Sequence, residues 1–159
     1  MEAIKWSEET LNNMLTEPSA ALVEDLKRLE GDIMVLGAGG KMGPDICVLA
    51  KKASVLGGSD RKIYAVSRFS DAAAAERLRS HGVTVIAADL MDANALQALP
   101  DCKNIIYMAG RKFGTNGTEY LTWGMNAWLP CMVVQRFRQS NIVVFSSGNL
   151  YPKVSTASG

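Results

Sequence analysis

The chain has 159 residues, a length that supports one core without metal or disulfide staples. A hydrophobic content of 48% with 21% charged residues excludes intrinsic disorder. Seventeen basic against sixteen acidic residues give a net charge of +1, too little of a field to drive binding to nucleic acid or an acidic membrane.

The first 31 residues read as a helical extension. Ser7 is placed to cap a short helix through Leu11, Met14 and Leu15, and Pro18 breaks it. Ser19 opens a second helix with Leu22, Val23, Leu26 and Leu29 on one face, and Gly31 is expected to stop it. From residue 32 the rhythm changes. Short apolar runs at Ile33–Leu36, Ile63–Val66, Val83–Ala88, Asn104–Met108 and Ile142–Phe145 lack strict alternation, as strands buried on both faces do. Helical patterns lie between them at Lys41–Leu56, Asp71–Ser80, Ala93–Leu99 and Glu119–Arg138. Strands alternating with helices predict an α/β fold, a doubly wound parallel sheet of about five strands, with residues 32–159 as its domain. Pro130, inside the last helical segment, predicts a local break there that frees the Asn126 carbonyl.

No apolar run reaches the roughly 18 residues of a membrane span, and the polar stretch Met1–Thr10 is no signal peptide. Cys47, Cys102 and Cys131 are odd in number and widely spaced, which points to reduced thiols in a cytoplasmic protein. Cys47 and Cys131, in helical segments, read as packing thiols, and the tryptophans as core or interface aromatics. His81 is the sole histidine, so no metal is expected; beside Gly82 it reads as a helix-end residue.

The stretch from Asp32 to Gly43 carries the chemistry. A buried strand enters the turn Gly37-Ala38-Gly39-Gly40-Lys41-Met42-Gly43, which opens a helix with Pro44 in its first turn. Gly37, Gly40 and Gly43 fit G-x-x-G-x-x-G, whereas G-x-G-x-x-G fails at Met42 and no Gly-Lys-Ser/Thr follows. Such a turn lets backbone approach a pyrophosphate and presents a helix N-terminus to it.

With that turn the chain resembles the extended short-chain dehydrogenase/reductases, the NAD-dependent epimerase/dehydratase family. Three further stretches, in order, carry the resemblance: Ala88-Asp89-Leu90-Met91-Asp92, Tyr107-Met108-Ala109-Gly110, and Val144-Phe145-Ser146-Ser147-Gly148-Asn149-Leu150-Tyr151-Pro152. The resemblance spans about residues 32–152 and implies a Rossmann-type domain that binds NAD(P). Gly37, Gly40, Lys41, Met42 and Gly43 would hold the phosphates, and Asp89 with Leu90 the adenine. Met108, Ala109 and Gly110 would lie beneath the cofactor. It also implies a catalytic Ser147, with Ser146 as the alternative, an Asn126 in a proton relay, a nucleotide-sugar class of substrate and a homodimer. After the second strand, Ser67-Arg68 replaces the acidic residue that binds a ribose 2′-hydroxyl, which favours NADP over NAD. Arg111 and Lys112 read equally as a phosphate contact or a solvated pair.

The departure is equally clear. The family's Tyr-x-x-x-Lys is missing: Tyr64, Tyr107, Tyr120 and Tyr151 are followed four residues on by Arg68, Arg111, Gly124 and Ser155. The expectation is therefore a domain truncated before its last strands and helices, in which Ser147 alone supports no turnover. The alternative is a non-catalytic dinucleotide-binding sensor.

Overall fold

A computed structural model describes residues 7–111 and 116–146. Ser7 and Ser19 cap helices α1 (Glu8–Leu15) and α2 (Ala20–Arg28), each accepting a backbone N–H through its hydroxyl. The sheet then builds as β1 (Ile33–Leu36), α3 (Gly43–Leu56), β2 (Ile63–Ser67), α4 (Ala72–Ser80), β3 (Thr84–Ala87), α5 (Ala93–Gln97) and β4 (Asn104–Tyr107). The long segment that follows is α6 (Glu119–Trp123), a π-turn (Gly124–Trp128) and α7 (Leu129–Arg136), leading to β5 (Asn141–Val144). All five strands are parallel, in the order β3-β2-β1-β4-β5. This is a Rossmann-type α/β fold.

The two faces of β1 feed two cores. Ile33 and Val35 pack with Cys47 and Val48 of α3, Ile63 and Ala65 of β2, and Leu78 of α4. Met34 and Leu36 pack with Leu96 of α5, Ile105 and Tyr107 of β4, and Leu129, Val133 and Phe137. Burial of all four β1 residues explains why the strand reads as an unbroken apolar run. Burial also pushes the Cys47 thiol up to about 12.

Several expectations are corrected. Gly31 does not end α2: the helix stops at Arg28, where the buried guanidinium of Arg61 donates to the Leu26 and Leu29 carbonyls. Gly31 instead serves the turn into β1, with φ of +80° and a Cβ position 2.8 Å from that of Lys103. Cys131 is exposed, with its thiol on the Ala127 carbonyl, and is not a packing thiol. Of the core-or-interface reading of the tryptophans, only the core alternative fails for Trp123 and Trp128, which are 73% and 61% exposed. The expected break in the long segment is present as the π-turn, two residues before Pro130, but the carbonyl that takes a donor from outside the segment is that of Met125, not of Asn126. No helix among the described residues is long and apolar enough to cross a membrane.

Candidate functional site

The carboxyl ends of the strands place the site. β1 lies between β2 and β4, so the chain winds outward to β3 and then crosses back, leaving a crevice where the strand order reverses. Backbone bonds fix both rims. Gly37 and Ala38 N–H donate to the Val66 carbonyl at 2.9 and 3.1 Å, and the Met108 N–H donates to the Leu36 carbonyl at 2.8 Å. Above them opens a cleft of about 510 Å³.

The three glycines of the turn differ in what requires them. Gly37, at φ +88°, would bring a Cβ 2.5 Å from the Ala109 N, so the turn beneath β4 demands it. At Gly43 a Cβ would run into the Ala38 carbonyl, so packing of α3 on the turn demands it. Gly40 has no positive φ, and a Cβ there would find only the Gly37 carbonyl at 3.7 Å. Nothing in the described chain requires glycine at position 40, although it lines the cleft. A ligand pressed against the backbone would require it.

The start of α3 fits an anion. Helices α1, α2, α4 and α5 are capped by the side chains of Ser7, Ser19, Asp71 and Asp92, whereas α3, with Met42 at its N-cap, has no side-chain cap bond, as is also true of α6 and α7. The positive dipole end of α3 adjoins the glycine turn, where the Gly43 N–H already donates to the Gly40 carbonyl at 3.3 Å and Pro44 has no N–H. The carboxylate of its first turn, Asp45, is paired with Arg77 of α4 at 2.7 Å, which offsets its charge beside that terminus.

Of the residues singled out in sequence, Gly37, Gly40, Ser67, Arg68, Asp89, Leu90, Met108, Ala109 and Gly110 meet in one cleft lining. Lys41, Met42 and Gly43 stand outside that lining, Met42 exposed and Gly43 buried in packing. Ser147 lies outside the described residues, as do Lys112 and Tyr151. Asn126 does not line the cleft. Its carboxamide brackets Arg111, accepting from the Arg111 N–H and donating to its carbonyl, both at 2.8 Å. That double bond fixes the peptide after Gly110, at the cleft's β4 side.

Sequence reasoning missed Gly39, Phe69, Ser70, Met91, Leu121 and Met125, which also line the cleft. Phe69 has φ of 47°, a left-handed backbone rare for a bulky side chain. The turn breaks strand alternation, so Ser67, Arg68, Phe69 and Ser70 all border the cleft in succession. Gly39 was legible, since a third glycine within four residues signals a crowded turn; a Cβ there would come 2.6 Å from the Ser67 hydroxyl. No metal-binding cluster occurs among the described residues.

No protein-family model matches the sequence, and no curated protein matches it. Solved structures do resemble the fold. One is Pen from Bacillus thuringiensis, with a TM-score of 0.60 and 12% identity over 71% of this chain and 36% of that one. Another is the Bordetella bronchiseptica enzyme WbmF, in complex with NAD+ and UDP, with a TM-score of 0.55 and 17% identity over 84% and 41%. A third is UDP-glucuronic acid 4-epimerase from Bacillus cereus, in complex with NAD and a fluorinated UDP-glucuronic acid, with a TM-score of 0.57 and 15% identity over 78% and 42%. The chain thus spans less than half the length of each of these three structures.

Proposed function

We propose that this chain is the dinucleotide-binding portion of an NAD(P)-dependent epimerase/dehydratase-like oxidoreductase acting on a sugar-nucleotide-like substrate. The observation that carries the reading is Gly40, a glycine that the described residues leave free on the floor of a cleft at the sheet's reversal point. The α3 N-terminus and the glycine turn, through Gly37 and Gly40, hold the pyrophosphate, with Lys41 and Met42 beside it outside the cleft lining. Asp89 and Leu90 border the adenine. Met108, Ala109 and Gly110 floor the other half. The NAD-bound structures of similar fold support a nicotinamide cofactor, whose ring would supply hydride transfer.

Arg68, with Ser67 beside it, supports NADP as the preferred form, since Ser67-Arg68 stands at the end of β2 where an acidic residue would meet a ribose 2′-hydroxyl. Ser147 hydrogen-bonds the reacting oxygen in this reading, and Asn126 holds the relay geometry. With no Tyr-x-x-x-Lys among these 159 residues, the chain binds cofactor without completing turnover.

The test is Gly40→Val followed by titration calorimetry with NADP+ and NAD+. Binding is expected to vanish while the variant stays folded, because a Cβ at position 40 meets only the Gly37 carbonyl, at an ordinary contact distance of 3.7 Å. Unchanged affinity in a folded variant overturns the assignment.

A further inference from the structure

The backbone of the long helical segment leaves one carbonyl short of a donor, and a side chain supplies it. In the π-turn the Leu129 N–H bonds the Gly124 carbonyl, five residues back. In α-helical register that N–H would have served Met125. The π-register donor to Met125 would be residue 130, which is proline and has no N–H. Both backbone donors are thereby lost to the Met125 carbonyl. The Tyr107 hydroxyl, from the end of β4, donates to it at 3.2 Å. Tyr107 is only 4% exposed and packs with Leu129 and Val133, so the hydroxyl is held in place. Its burial raises the phenol to about 12, which keeps the donor proton through the physiological range.

What the π-turn carries makes the contact matter. Met125 lines the cleft, and the neighbouring Asn126 grips Arg111, which lines it too. We propose that Tyr107 is a positioning residue: its hydroxyl stands in for the N–H that Pro130 lacks and holds the π-turn in the register that sets Met125 and Asn126 at the β4 end of the cleft. Resting on the dinucleotide reading above, the inference assigns that end to the nicotinamide half of the ligand.

A double-mutant cycle tests it. Tyr107→Phe removes the hydroxyl and keeps the ring, whereas Pro130→Ala restores an N–H at residue 130 within reach of the Met125 carbonyl. Tyr107→Phe is expected to weaken NADP+ about three- to tenfold. The same variant should bind 2′,5′-ADP, the adenosine half alone, as wild type does, and its amides at 129–134 should exchange faster. In the Pro130→Ala background, Tyr107→Phe should change none of these, because the alanine N–H has taken over. Equal weakening of both probes, no weakening of either, or a full effect persisting beside Pro130→Ala overturns the proposal.

Should the wild type bind neither probe, the dinucleotide reading falls, and thermal unfolding decides the positioning claim. A Tm loss from Tyr107→Phe that disappears in the Pro130→Ala background supports the link. The same loss in both backgrounds overturns it.

Discussion

The two ends of the cleft are built differently. At the β2–β3 end the lining is polar: Ser67, Arg68, Ser70 and Asp89, with one ring from Phe69. At the β4 end it is a wall of Met91, Met108, Leu121 and Met125, broken only by the Arg111 that Asn126 clamps. Charge-assisted hydrogen bonds discriminate between ligands that differ by one ionised group, whereas an apolar methionine wall adapts to shape and discriminates weakly. The polar end is built for identity and the apolar end for contact.

The largest expected effect removes the floor common to both ends. Gly43→Ala drives a Cβ into the Ala38 carbonyl, and backbone cannot yield as a side chain tip does. Loss of cooperative unfolding, or a Tm drop of ten degrees or more by circular dichroism, is expected, together with loss of all ligand binding. A stable Gly43→Ala chain would mean that the turn is looser than its packing indicates.

Arg68→Ala sharpens the comparison at the polar end. A charge-assisted arginine–phosphate contact contributes roughly 1.5–3 kcal/mol. NADP+ should therefore weaken about ten- to hundredfold by calorimetry while NAD+ changes little. Equal loss for both would show that Arg68 stacks on the adenine and reads no phosphate. At the other end, Met125→Ala should cost full dinucleotides only about two- to fivefold, alike for NADP+ and NAD+, and leave 2′,5′-ADP unaffected. Any NADP-over-NAD bias produced by Met125→Ala would erase the division of labour.

A further effect is a pH dependence. Folding raises the Tyr107 phenol from 10 to about 12, so its contribution is complete below pH 10 and is lost as pH climbs towards 12. Cys47, raised from 9 to about 12, acts with the same sign, so the readout is a difference. Tyr107→Phe should lose less stability than wild type between pH 10 and 12 in denaturant titrations. Parallel curves would place the phenol in a better hydrated setting.

Much of this was legible in the residues, for local reasons. The caps at Ser7 and Ser19, the apolar runs of the five strands and the glycine turn are all short-range signals, and each stands within a residue or two of its expected place. The helix break followed from one missing N–H at Pro130. What escaped depends on contacts across the chain. The Arg61 cap lies over thirty residues from the carbonyls it serves. The left-handed Phe69 carries no turn residue to announce it. Lys41 sits within the motif, yet the turn keeps it out of the cleft lining. Met91, Leu121 and Met125 share a wall only because the β4 crossover brings α6 and the π-turn over the loop after β3.

The Arg61 contact has a consequence for how the molecule comes apart. The guanidinium is held within the body of the protein, and the oxygens it bonds belong to the end of α2. Lys52 of α3 reaches Thr16, Asn104 of β4 reaches the Glu30 carbonyl and Lys103 reaches the Glu30 carboxylate, so the helical extension is bonded at four points to α3 and to residues bordering β2 and β4. Residues 16–30 are therefore expected not to fray ahead of the rest. Opening them strands a buried cation, so they belong to the same cooperative unit as β1, β2 and β4, and amides of α2 will open only when the sheet does.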